Sequence, residues 1–154
     1  MKENIYQRPE SVQEQNKKYS VFYERLEKIL GFSLDRLKYY SYLKLTAEPF
    51  MPLHVNVIDK QEKTIIIAMA HNFEMNGDIV PDPDMEIEID LEKKTAEPLT
   101  FQNSLIYTKV WNYDENGEKT GLDIGKRQSL REFFDLWTNN LIIQGHKISK
   151  EKKV

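Results

Sequence analysis

The densest chemistry in this chain lies between residues 71 and 92. His71 is followed closely by Glu74, Asp78, Asp82 and Asp84. One imidazole with several carboxylates around a turn is a ligand set suited to Mn, Fe or Zn. On that reading the protein is a metal-dependent enzyme using His71 with Asp78 and Asp82. The competing reading is structural. His71 falls on the same strand face as Met69 and Phe73, where a histidine serves as a hydrogen-bonded core residue. Asp78, Asp82 and Asp84 stand beside glycine and proline, as turn residues do. The spacing also lacks the alternating acids and closing glutamate of a calcium loop. The structural reading is the stronger of the two.

The same stretch carries eight acids and no base from Glu74 to Glu92. Asp84, Glu86, Glu88, Asp90 and Glu92 alternate with Met85, Ile87, Ile89 and Leu91. On a strand, such acids recur about every 6.6–6.8 Å, close to a row of phosphates. An acidic DNA mimic, acting as an anti-defence inhibitor in a basic enzyme groove, follows as an alternative. The plainer reading is a solvated face, or an edge strand guarded by charge. A third set, Tyr39, Tyr40 and Tyr42 with Lys38 and Lys44, could stack nucleic-acid bases. No RNA-binding motif accompanies it, and tyrosine is favoured in strands for its own sake.

Several catalytic signatures are missing. The six glycines are scattered singly, so no phosphate loop forms. There is no G-x-S-x-G elbow and no H-E-x-x-H.

The elements that must hold these residues follow from hydrophobic rhythm. Residues 1–15 are polar and read as a disordered or extended arm. Tyr19, Phe22, Leu26, Ile29 and Leu30 recur at helical spacing, which predicts an amphipathic helix over roughly 12–30, closed by Gly31. From Leu37 to Leu122 the period is two. Strands are predicted over 38–46, around 53–57, and over 64–75, 84–92, 95–101 and 105–112. A turn at Asn76-Gly77 and a loop at Pro81 and Pro83 separate two of them. Asn116-Gly117 predicts a two-residue hairpin. Ser129 and Glu132 read as a capping box for a final helix, with Leu130, Phe133, Phe134, Trp137 and Leu141 as its stripe and Gly145 as its end. Residues 147–154 read as a basic mobile tail. The expected fold is α+β: an antiparallel meander of about six strands flanked by an N-terminal and a C-terminal amphipathic helix, in one domain over 16–146.

Composition sets the outer bounds. With 154 residues, 40% hydrophobic and 31% charged, the chain is an ordinary one-domain length. It has no cysteine, so disulfides and thiolate metal sites are excluded, and a cytoplasmic location is expected. No apolar run approaches the ~20 residues of a membrane span. A net charge of −3 argues against direct nucleic-acid binding.

The segment from Ile66 to Ile89 resembles an uncharacterised bacterial domain family often encoded on plasmids and other mobile elements. Ala70, His71, Phe73, Asn76, Gly77, Asp78, Asp82, Pro83, Asp84 and Met85 carry the resemblance, with Glu74 one position off the family pattern. Trp137, Asn140, Leu141, Gln144 and Gly145 match its closing motif. A looser similarity reaches a second uncharacterised family of short bacterial proteins. The likeness spans roughly Leu26 to His146 and implies a fold and a genomic setting, not an activity. Taken together, these readings point to a binding or accessory domain, more simply non-enzymatic than catalytic, with no cofactor and no metal. Its expected surface is His71, Asn76, Asp78, Asp82, Asp84, Glu86 and Glu88, facing an unidentified protein partner.

Overall fold

The computed structural model describes residues 11–149. Of the arm expected over 1–15, residues 1–10 lie outside this range, as do 150–154 of the expected tail. Residues 12–15 are helical: helix α1 runs Val12–Leu30, with Ser11 accepting from the Glu14 backbone N–H at its start and Gly31 in the left-handed conformation at its end. A 3-10 turn over Leu34–Tyr39 follows, so the strand expected from residue 38 begins only at Tyr42. Leu34 and Leu37 sink into the core and draw this segment away from the sheet.

The strands are β1 (Tyr42–Ala47), β2 (Phe50–Lys60), β3 (Thr64–Met75), β4 (Asp78–Asp90), β5 (Thr95–Pro98), β6 (Thr100–Gln102), β7 (Tyr107–Lys109), β8 (Trp111–Tyr113), β9 (Lys119–Leu122) and β10 (Lys147–Ile148). Helix α2, Ile124–Gln144, lies before β10. The main sheet is ordered β10-β1-β2-β3-β4-β6-β7, with β5 also paired to β4, while β8 and β9 form a separate ribbon. All pairings are antiparallel. The α+β architecture stands as expected, with more strands: β2 and β4 run longer than expected, and the expected 95–101 and 105–112 are each broken in two.

Four local expectations are corrected. Pro81 and Pro83 lie within β4 rather than in a loop, because the β3–β4 ladder shifts register between Ala70 and Asn72. A bulge tolerates proline, since the extra residue need not donate to the ladder. Asn116-Gly117 is not a two-residue hairpin: Asp114 closes a longer loop, its carboxylate accepting from the Asn116 and Glu118 backbone N–H groups. Part of the expected tail, Lys147–Ile148, is a strand on the edge of β1. Finally, α2 starts five residues before Ser129, where the Asp123 carboxylate accepts from the Lys126 N–H. The real cap is a residue whose backbone is still extended, and Ser129 is already inside the helix. Asp123→Ala is expected to cost about 1 kcal/mol in a urea melt, and Ser129→Ala only a few tenths. Equal losses would restore the serine as the cap.

Both helices cover one face of the sheet. Met85, Ile87 and Ile89 are fully buried there with Leu53, Ile67 and Met69 of β2 and β3. Phe22 of α1 and Phe134 of α2 meet edge to face at 5.0 Å between ring centres. Each such fully buried side chain contributes roughly 1.5–3 kcal/mol of transfer free energy. The β4 acids stand on the other sheet face, where Arg127 at the start of α2 reaches Glu97 beside Glu88.

Candidate functional site

Strand alternation divides the predicted site residues between two faces. His71 follows the core-facing Met69 and points to the helix side. There the Trp137 indole N–H donates to His71 Nε2 at 3.0 Å, and Nδ1 meets the Pro52 carbonyl at 2.8 Å. Since Nε2 accepts, Nδ1 must carry the proton, which makes the ring neutral. Burial holds the His71 pKa below its ordinary value, and the nearby His146 pushes the same way, against the Pro52 carbonyl and the Asp82 charge. Both ring nitrogens are engaged, so this arrangement leaves no lone pair for a metal. The buried His146 ring centre lies 5.8 Å away, and its Nε2 meets the Met51 carbonyl at 2.9 Å. His71 and His146 thus fasten the end of α2 to β2.

Asn76 and Asp78 belong to the β3–β4 turn. Asn76 and Gly77 both have positive φ, 53° and 85°, between the paired residues Met75 and Asp78. That is the two-residue turn that suits the twist of a hairpin, and Asn-Gly is its preferred sequence. Asp82 is exposed at the bulge. The Glu74 side chain lies outside the described set. Among the described residues no three His, Asp or Glu side chains converge as a metal site. The expected cluster of His71 with Asp78, Asp82 and Asp84 is therefore not assembled: Asp84 is on the opposite face from His71.

That opposite face is laid out by register. Across the sheet, one row reads Lys44, His54, Ala70, Asp84, Gln102, Tyr107. The next reads Tyr42, Asn56, Ala68, Glu86. The two alanines floor a shallow trough between the β2 side chains and the β4 carboxylates. On one bank Tyr42 stacks on His54, its hydroxyl 2.6 Å from Nδ1. On the other, Asp84 and Glu86 are half-buried. Burial raises the Asp84 pKa, and burial followed by the Asp84 charge raises that of Glu86. Among the described residues neither carboxylate has an ion-pair partner. Tyr107 and Tyr113 stand beside them: burial first, then the Glu86 charge, raises the Tyr107 phenol pKa, while burial, Glu88 and Glu86 raise that of Tyr113.

The acidic row does not continue as a free ridge. Glu88 is bonded to Lys119 of β9 at 2.9 Å. The Asp90 carboxylate accepts from the Glu92 and Lys93 backbone N–H groups. Glu92 lies past the strand end, paired with Lys63 at 2.8 Å. Evenly spaced unpaired charge, which phosphate mimicry needs, is reduced to Asp84 and Glu86. The aromatic set also disperses, since Tyr39 and Tyr40 lie at the 3-10 turn and only Tyr42 reaches the sheet.

The residues that sequence reasoning did not single out belong to the β8–β9 ribbon and the start of α2. Lys119 lies over the Trp111 ring at 4.7 Å. Arg127 bonds Glu97 and lies over the Tyr19 and Trp111 rings at 5.4 and 5.7 Å. These contacts neutralise Glu88 and Glu97 and hold Tyr113 against the sheet. The two ion pairs join residues 30 or more apart, for which no local pattern exists. No helix among the described residues is long and apolar enough to cross a membrane.

A family model described as a domain of unknown function, DUF6908, matches residues 10–147. No curated protein matches the chain, and no solved structure does.

Proposed function

We propose that this chain, which belongs to the DUF6908 family, is a binding domain whose acidic sheet face takes an arginine side chain presented by a protein partner. The observation that carries the reading is the Asp84–Glu86 pair: two half-buried carboxylates, side by side, with no cation beside them among the described residues. Desolvating a charge without a partner costs stability. A guanidinium between Asp84 and Glu86 would relieve that cost and stack on Tyr107 or Tyr113. An accessory role of this kind fits the mobile-element setting that the resemblance implies.

The test has two readings. Asp84→Asn with Glu86→Gln should raise the melting temperature at pH 7, because an unpaired desolvation penalty is removed. The same change should abolish the amide chemical-shift changes that a hexa-arginine peptide produces at Tyr107 and Tyr113. A lowered melting temperature, or unchanged peptide shifts, would count against the site. The pH sign is also set. With folded pKa values raised, the penalty is full above those values and fades as pH falls through them toward the ordinary 3.8 and 4.5.

A further inference from the structure

Among the described residues the far edge of the main sheet is β7, paired only to β6. Thr108 pairs with Phe101, Val110 donates to the Leu99 carbonyl and Ile106 accepts from Asn103. Ile106, Thr108 and the Val110 N–H therefore turn inward to the β6 side, while the Val110 carbonyl accepts from the Asp123 N–H. By antiparallel alternation, Tyr107 and Lys109 turn theirs to the open edge. Directly beside that edge, on the helix side, lies a cavity of about 300 Å³ lined by Phe101, Ile106, Thr108, Leu130, Phe133 and Lys126. Ile106 is 54% exposed and Leu105 88%.

A row of unpaired donors and acceptors is completed by another strand, and an apolar cavity beside it accepts that strand's alternate side chain. Charge selects the occupant. Lys126 stands at the cavity, and its contact to Asp123 is long, 3.9 Å, with the lysine side chain 53% exposed. Lys109 is exposed on the edge itself. A second copy pairing through the same edge would bring both lysines of each protomer together, which disfavours self-association. We infer that the β7 edge takes an extended, acidic segment of a protein partner as an added strand, with one bulky apolar side chain in the cavity and a carboxylate at Lys126. This surface shares the Tyr107 position with the Asp84–Glu86 trough but does not depend on its carboxylates.

The experiment pans a random dodecapeptide display library against the full chain and titrates the enriched peptides. The expected winners alternate β-branched and apolar residues with Asp or Glu. Their binding should slow hydrogen exchange at the Tyr107 and Lys109 amides about tenfold, as newly bonded edge groups require. Ile106→Glu and Lys126→Glu should each weaken binding about tenfold or more. Both sites are solvent-facing, and matching melting curves would verify the fold. Asp84→Asn with Glu86→Gln should leave these peptides bound, which separates this surface from the trough. No enrichment would overturn the inference. So would affinity indifferent to both charge changes, or a dimer in sedimentation that Ile106→Glu dissociates, since the occupant would then be a second copy.

Discussion

Phe134→Ala is expected to lower unfolding stability by about 3–5 kcal/mol, the usual cost of removing a buried phenylalanine ring. Phe134 is fully buried. Its ring meets Phe22 at 90° and lies 6.3 Å from the centre of Trp137. It therefore joins α1 to α2 at the roof of the sheet. Against a total of roughly 5–15 kcal/mol for a domain, the loss is large. At this chain length the melting temperature should fall on the order of 10 °C. Denaturant melts of wild type and variant measure it. A loss below about 1.5 kcal/mol would mean that the two helices are not locked together through this ring.

Trp137→Phe is expected to cost about 1–3 kcal/mol, since it keeps most of the packing and removes the donor on which His71 Nε2 depends. Its signature is in pH. In the wild type, burial lowers the folded pKa of His71, and protonating Nε2 would besides set a new N–H against the indole N–H. A lowered histidine value means that the unfolded chain binds the proton first. Stability is then full above the ordinary value of 6.5 and declines as pH falls below it, until the folded value is passed. The variant frees Nε2 to be protonated, so its decline should be shallower. The carboxylates of the trough act with the opposite sign at lower pH, and the difference between wild type and variant isolates the histidine. Parallel pH profiles for the two proteins would show that the indole contact does not set the His71 proton.

The same geometry explains why His71 and the acids that follow it do not converge among the described residues. Ligands must converge, and a strand sends neighbours to opposite faces. His71 turns toward α2 while Asp84, Glu86 and Glu88 turn away from it. Asn76 and Asp78 are spent on the turn that joins β3 to β4, and Asp82 on the bulge next to Pro83. Most of the residues that carry the family resemblance thus hold the β3–β4 hairpin and the end of α2, including Trp137 on His71 and Gly145 in the left-handed cap.

Local pattern by itself determined the fold class, the two helices, the core face of β4 and the β3–β4 turn. Helical and strand periods, a glycine cap and an Asn-Gly pair act within a few residues and leave their mark there. Tertiary structure alone decided where the proline-bearing segment ran, because a bulge is set by the partner strand. It also decided which acids stay unpaired. Lys119 and Arg127 reach Glu88 and Glu97 from more than one element away, and nothing around Asp84 or Glu86 in the sequence announces that no cation of the described residues comes to them. Whether a charge is solvated, paired or stranded depends on what the rest of the chain brings to it through space, and spacing along the chain holds no record of that.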